Sequence, residues 1–380
     1  MLRFLTAGES HGQGLVTIVD GLPAGLAFLE GGLSAELKRR RQGYGRGPRM
    51  RIERDVIKIL SGVRYGKTTG APVAVLIENT EWERFSSILS PEPGEPAAAL
   101  TTPRPGHADL AGMMKFDTHD VRDVLERASA RETAARTVAG YAARLLLRTI
   151  DIEIISHVVA IGGVEAPRNG IPTPDDVDRL EASPVRVLDE TAARAMMAAI
   201  DAAKADRDTL GGIIEVLAYG VPSGLGSYTQ WDRRLDGLLA QAILSIPALK
   251  GVEVGSAYEQ ASVRGSAAHD EIIPGYDRAT NRAGGVEGGV SNGQPIRVRA
   301  AMKPLSSLMR PLASVNVATG EPAPAMRERS DVCAVPAAAV VAEQMVAIVL
   351  AQEAQRVFGG VTVGDLRSAA AAYRRRLSAF

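Results

Sequence analysis

With 380 residues the chain is long enough to bury a large core as one domain or two, and 46% hydrophobic with 23% charged residues is the balance of a soluble globular protein. A formal net charge of zero supplies no global field toward nucleic acid or an anionic membrane, and a single cysteine, Cys333, excludes an intrachain disulfide and a cysteine metal cluster. No apolar stretch of signal-peptide length opens the chain and no window reaches 18 uncharged apolar residues, so a cytoplasmic protein with no membrane and no nucleic-acid partner is expected.

Only seven of the 44 basic residues are lysine; the rest are arginine, the better bidentate partner for phosphate and carboxylate. In chain order, Gly8-Glu9-Ser10-His11-Gly12 follows a short apolar run and precedes Leu15–Val19, a strand candidate. Glycines on both sides let the backbone turn sharply and offer His11 to a ligand; the plain alternative is a surface histidine. A helix is predicted around Ser34 to Arg41, with Ser34 as its cap. Residues 38–54 then carry eight basic side chains and one acid. RNA-binding segments have this charge, but Tyr44 is the one aromatic available for stacking. The glycines and Pro48 instead suggest a loop folding over a small multiply charged anion, with solvated arginines as the alternative.

Val73–Ile77 is a second strand candidate. Residues 90–106 read as an exposed loop leading to His107, whose backbone is stiffened by Pro103 and Pro105. A long Ala-rich helix is predicted from about Ala130 to Leu147. In front of it stand Arg127, Ser129 and Arg131. A serine there can cap the first turn, and free N–H groups beside two guanidiniums suit a phosphate or carboxylate. The ordinary reading is an N-cap on an arginine-rich helix. Ile150 to Ile161 reads as a strand, and His157 reads as structural.

The second half echoes the first. Gly14-LVTIVDGLPAGL matches Gly212-IIEVLAYGVPSGL, Gly66-KTTGAPVAVLI matches Gly289-VSNGQPIRVRA, and Arg127-Ala128-Ser129 matches Arg329-Ser330-Asp331 more weakly. The offsets are too uneven for a short solenoid period and fit one duplication giving two similar α+β halves. Gln241 and Ala242 fall in a predicted helix, 233–245. The glycine-dense stretch Gly284 to Gly293 suits a planar ring lying against bare backbone. Lys303-Pro304-Leu305-Ser306-Ser307 offers an ammonium and two hydroxyls to a phosphate. With no P-loop, no GxGxxG after a strand, no metal-ligand spacing and no nucleophile elbow, the inventory suits proton transfer on a small polyanion.

Seven segments, in order and spacing, resemble the chorismate synthase family over nearly the whole chain: GESHG at 8–12, RRRQGYGRGPRM at 39–50, RPGHAD at 104–109, RASARET at 127–133, EGGVSNG at 287–293, KPLSS at 303–307 and RSDVC at 329–333. FGGVTVGDLR at 358–367 also fits. The resemblance implies an α+β fold, a β-α-β sandwich of two pseudo-symmetric halves with antiparallel four-stranded sheets around a helical layer, assembled as a homotetramer. It implies one domain over 1–380, duplicated roughly as 1–150 and 211–360 with 151–210 connecting. The implied reaction is 1,4-anti elimination of phosphate and a C6 hydrogen from 5-enolpyruvylshikimate 3-phosphate, giving chorismate and requiring reduced FMN.

By the same resemblance His11 protonates the departing phosphate, His107 donates to the reduced flavin ring, and Asp331 assists hydrogen removal. Ser10, Arg40, Arg46, Arg104 and Arg131 bind substrate. Arg127, Ala128, Ser129, Gln241, Ala242, Gly288, Lys303, Pro304, Leu305, Ser306, Ser307 and Arg329 hold FMN. Chains of this length in the family usually take reduced flavin from an external reductase, and no residue decides whether NADPH serves directly. The rivals are an RNA-binding module using residues 38–54 and a conventional flavin or NADPH oxidoreductase.

Overall fold

The computed structural model describes residues 1–47, 53–95, 97–167 and 170–380; Pro48 and the rest of positions 48–52 in the basic stretch lie outside the described residues. Period-two alternation builds the first sheet. Its strands β1 (Arg3–Gly8), β2 (Gly14–Asp20), β3 (Val56–Ser61) and β4 (Val73–Glu78) pair antiparallel in the order β1-β2-β4-β3. Leu15, Val19, Val73, Val75 and Ile77 turn inward and are buried, while Leu5, Ile18, Val56 and Leu60 stand exposed on the other face.

The second sheet comprises β5 (Glu153–Ile161), β6 (Val164–Glu165), β7 (Gly212–Tyr219), β8 (Leu249–Val254) and β9 (Ile296–Met302), antiparallel in the order β8-β9-β7-β5-β6. Four strands were expected here; the fifth is the two-residue β6, which pairs only with the end of β5. Without it, β1-β2-β4-β3 and β5-β7-β9-β8 have the same connectivity, and the echoed segments fall on β2 with β7 and β4 with β9. β5 and β6 lie in the stretch expected to be connecting and belong instead to this sheet.

Seven helices position the site: α1 (Glu30–Arg41), α2 (Trp82–Phe85), α3 (Asp109–Phe116), α4 (Arg122–Ala128), α5 (Thr133–Arg148), α6 (Leu235–Leu244) and α7 (Val335–Phe358). α5 packs on β2, α7 packs on β5 and β7, and the two helices pack on each other, which makes the layer between the sheets. α7 is long and apolar enough to cross a membrane by length and composition, but its most apolar window is 94% buried inside the fold. α1 starts at Glu30, so Ser34 is inside the helix rather than its cap. Burial of Leu33 and Leu37 against the core carries the helix a turn further forward, past glycines that local propensity disfavours.

A charge-matched network ties the helical layer together. Arg39 on α1 donates to Glu36 at 2.6 Å and to Glu343 of α7 at 3.0 Å, and lies 2.7 Å from Glu181; Arg144 of α5 also pairs with Glu343, and Arg186 with Glu181. Three guanidiniums thus meet three carboxylates, the arrangement that makes buried charge tolerable. Away from this core, Met113, Val121, Val124 and Leu125 form a small separate cluster with Leu100, Ala128, Val317 and Met326 packed on it. Backbone bonds from Val317 to Thr101 (2.9 Å) and Met326 to Thr102 (3.0 Å) fasten its two sides.

Candidate active site

The functional side chains come from segments that the sheets and helices bring to one cavity of about 470 Å³, a size typical of ligand pockets. The β1–β2 turn brings Ser10 and His11, α1 and the loop after it bring Arg40 and Arg46, and the loop before α3 brings Arg104 and His107. The α4–α5 junction contributes Ala128, Ser129 and Arg131, the segment after β9 contributes Lys303, Leu305, Ser306 and Ser307, and the approach to α7 contributes Arg329 and Asp331. An apolar wall of Leu125, Ile246, Pro247, Met302, Ala337 and Val341 completes it.

His11 is buried, and its Nδ1 lies 2.9 Å from Glu126 Oε1. His107 bonds Asp109 through Nδ1, and Arg104 Nη2 lies 3.1 Å from the same nitrogen. Asp109, fully buried, also accepts from the Arg104 backbone N–H (3.0 Å) and Nε (2.8 Å). Burial alone would raise the Asp109 carboxyl, but the bonds from His107 and Arg104 outweigh it and hold it well below the usual carboxylate range. Arg104 extends to Ser307 Oγ at 2.7 Å, so one acid fixes an imidazole, a guanidinium and, through it, the Lys303–Ser307 loop.

The cationic groups are matched unequally. Arg46 donates to Asp331 at 2.6 Å, Arg329 donates to Glu81 at 2.6 and 2.9 Å, and Arg131 is taken up by Asn79, Asp55 and Glu53. Arg131 therefore reaches the cavity with its charge already matched by two acids. Arg40 differs. It is 4% exposed, donates from Nε to Thr133 and from Nη2 to the Ala130 carbonyl (both 2.9 Å), and its buried Nη1 has no hydrogen-bond partner among the described residues. Burial, with Arg131 and Arg46 nearby, pushes its guanidinium down to about 9 despite Asp55. An under-paired buried cation in a cavity wall is a socket for an anion. Lys303, lowered by burial and by Lys250, donates to the Gly106 carbonyl at 2.9 Å.

Ser129 does cap, its Oγ accepting from the Arg131 N–H, but the turn it caps is a short 3-10 segment, Ala130–Glu132, that runs into α5. Ser129 Oγ also donates to Ser10 Oγ at 3.2 Å. Gly47 brings the arginine loop onto the approach to α7: its N–H donates to Asp331 at 2.6 Å, and a Cβ there would lie 2.9 Å from the Ser330 carbonyl oxygen.

Five expected residues are not in the cavity wall. Arg127 is exposed, bonds the Thr6 and Gly8 carbonyls, and lines a smaller neighbouring depression. Pro304 points away, Gln241 and Ala242 lie on α6, and Gly288 lies at an exposed turn. The glycine-dense stretch is not an open platform for a ring. Gly284 abuts Gly255, Gly285 abuts Pro295, Gly289 abuts Arg234, and only Gly288 and Gly293 face open space. These glycines mostly let the chain approach itself. Sequence reading missed Asp109, Glu126, Asn79 and Phe85. Asp109 alone had a signal, two residues from His107; the others act across long chain separations.

The cavity can bind a small polyanion, exclude water and hand protons to it from fixed imidazoles, which is the equipment of an enzyme rather than of a nucleic-acid platform. Comparison with known proteins specifies the class. The family model described as chorismate synthase matches residues 2–354. Chorismate synthases of Salinispora tropica and Mycobacterium avium are each 55% identical, over 98% of this chain and 98% of that protein and over 100% and 97% respectively. A solved structure described as a crystal structure of chorismate synthase superposes with a TM-score of 0.81 at 39% identity, covering 100% of this chain and 99% of that one. The chain belongs to the chorismate synthase family. It is a carbon–oxygen lyase that forms chorismate by eliminating phosphate from 5-enolpyruvylshikimate 3-phosphate.

Proposed function

We propose that the elimination takes place in this cavity with reduced FMN bound beside the substrate. The observation that carries the reading is the convergence of His11, His107 and the under-paired Arg40 on one apolar-walled space. FMN fits the residues present: the apolar wall of Leu125, Ile246, Pro247, Met302, Ala337 and Val341 suits a largely apolar ring, and Lys303, Ser306 and Ser307 suit its phosphate. When bound, reduced FMN supplies an electron-rich ring that eases cleavage of the allylic C–O bond.

The chain's own residues do the rest. Arg40, Arg46 and Arg104, with Ser10, bind the substrate phosphate and carboxylates, and Arg131 holds that wall in shape. His11 delivers a proton to the leaving phosphate oxygen. His107, held by Asp109, donates toward the flavin. Asp331, reached from the other half of the fold, assists removal of the C6 hydrogen. Arg329, Ala128, Ser129 and Leu305 line the flavin's side. Enclosure strengthens each charge contact by removing water.

The matched strand order supports reading the chain as one duplicated unit, with β5 as the first strand of the second copy, so that this copy is read from about 153 rather than from 211. The reading extends to a cytoplasmic homotetramer supplied with reduced flavin by an external reductase. On the outer face of the first sheet, Leu5 opposes Ile18 and Ala7 opposes Val16, an apolar strip bordered by the Arg3–Asp20 and Lys58–Glu78 ion pairs. That apolar centre with a charged rim suits contact between copies. Arg127, Pro304, Gln241, Ala242 and Gly288, outside this chain's cavity, would then act on flavin across such a contact or through the backbone. The test is anaerobic phosphate release from 5-enolpyruvylshikimate 3-phosphate. Release is expected with reduced FMN and not with oxidised FMN, without stoichiometric flavin consumption; equal release with either form refutes the reading.

A further inference from the structure

Glu126 lies in the last turn of α4 and is 6% exposed, yet among the described residues it forms no ion pair with an arginine or lysine. Its side chain instead closes on one residue 115 positions away. Oε2 accepts the His11 backbone N–H at 2.8 Å and Oε1 meets His11 Nδ1 at 2.9 Å. The Glu126 carbonyl accepts the Ser10 N–H at 3.0 Å, Asn79 donates to the Glu9 and Gly12 carbonyls at 2.9 and 2.8 Å, and the Phe85 ring stacks on the imidazole at 4.3 Å. Backbone, ring plane and one ring nitrogen of His11 are all fixed.

We propose that Glu126 is the positioning residue that sets the tautomer of His11, so that the imidazole gives and recovers its proton at Nε2. The inference rests on reading His11 as the proton donor to phosphate. An ionised carboxylate only accepts hydrogen bonds. With Oε2 already on a backbone N–H, Oε1 requires Nδ1 to carry its hydrogen in both the neutral and the cationic ring. The mobile proton therefore belongs to Nε2: it passes to the leaving phosphate oxygen, and solvent returns it to the same nitrogen. His107 has no such arrangement, because its Nδ1 is shared between the Asp109 acceptor and the Arg104 Nη2 donor, and Asp109 also holds Arg104. The two imidazoles of the cavity are thus held differently, and only His11 has an acid to itself.

The flavin-free chain, labelled with 15N in its histidine rings, tests this directly, the His11 resonances being assigned by their loss in His11→Ala. At a pH where the ring is neutral, Nδ1 is expected at the protonated, pyrrole-type shift and Nε2 at the unprotonated, pyridine-type shift. The reverse pattern overturns the proposal, whether or not any variant folds. Glu126→Gln substitutes an amide N–H₂ for one oxygen; with its oxygen kept on the backbone N–H it donates to Nδ1, and the proton moves to Nε2. That variant is expected to show the swapped shifts, to lose about 100-fold or more in kcat for phosphate release, and to keep the substrate KM within about threefold. His11→Ala/Glu126→Gln is expected to fall no further than His11→Ala alone. Swapped shifts with wild-type kcat overturn the positioning role. Full turnover in His11→Ala is a different failure, that of His11 as the acid, and leaves the tautomer assignment to be judged on the spectrum.

Discussion

Replacing Gly47 by alanine tests whether the loop carrying Arg46 must lie directly on the segment carrying Asp331. Gly47 is outside the left-handed region, so alanine is allowed by its backbone and only the close approach forbids it. The new Cβ would stand 2.9 Å from the Ser330 carbonyl oxygen and 3.3 Å from Asp331 Oδ1, against an ordinary contact of 3.4 Å or more, so the segments must part by at least 3.4 − 2.9 = 0.5 Å. Both neighbours are backbone or ion-paired, and neither can swing aside. Overpacking of this kind costs about 1–3 kcal/mol, and the 2.6 Å bonds from Gly47 and Arg46 to Asp331 are the ones stretched. Misplacement of reacting groups by about 1 Å can cost about 100-fold in rate, so kcat/KM for anaerobic phosphate release is expected to fall 10- to 100-fold, roughly, with the chain still folded. Gly31→Ala in α1, where the Cβ meets nothing within 4 Å, is the control and should be neutral or slightly stabilising. Wild-type kcat/KM in Gly47→Ala would refute the claim that this contact assembles the site.

Other outcomes follow from single groups. Arg40→Met removes a charged donor to the bound anion, so substrate KM should rise about 10- to 100-fold while thermal stability holds, since an under-paired buried cation is lost with it; unchanged KM refutes the anion socket. Glu215, 2% exposed, lies within 3.1 Å of His157, Arg297 and Arg299; burial raises its carboxyl, but those partners outweigh it and bring it from 4.5 down to about 2. A lowered folded-state value means the stabilisation is full above pH 4.5 and fades as pH falls through about 2, so Glu215→Gln should cost about 3 kcal/mol at neutral pH and progressively less in acid by denaturant unfolding. A cost that does not change with pH refutes the electrostatic account. Ile18→Asp on the exposed strip should lower the solution mass by light scattering while leaving the monomer fold intact by circular dichroism; an unchanged mass refutes that face as the contact between copies.

Legibility in the sequence tracked the range of the interaction. The apolar runs Leu15–Val19 and Val73–Ile77 and the Ala-rich run after Ala130 are local signals, and β2, β4 and α5 form where they predict. The start of α1 depended on core packing of Leu33, which no local signal encodes. Motif residues such as Ser10, His11, Arg104, His107 and Asp331 do meet at one cavity, because each sits at the end of an element whose position the fold fixes. Their supporting acids were harder. Asp109 lies two residues from His107, near enough to leave a local signal, while Glu126 becomes visible only when α4 folds back on the β1–β2 turn. Glycine density between Gly284 and Gly293 misled for a physical reason: glycine serves equally where a ligand approaches backbone and where the chain approaches itself.

The four-residue cluster of Met113, Val121, Val124 and Leu125 has a thermodynamic consequence. Detached from the main hydrophobic body, it supplies the apolar packing beneath the flap from Arg104 through Glu126, which bears one histidine and the acid gripping the other and is otherwise tied down by hydrogen bonds such as Arg104–Ser307 and Lys303–Gly106. A patch this small stores only a fraction of the free energy held by the sandwich, so it opens in a subglobal fluctuation long before the sheets separate. Amide exchange should therefore be fastest, among the walls of the cavity, in the very helices that orient its proton donors.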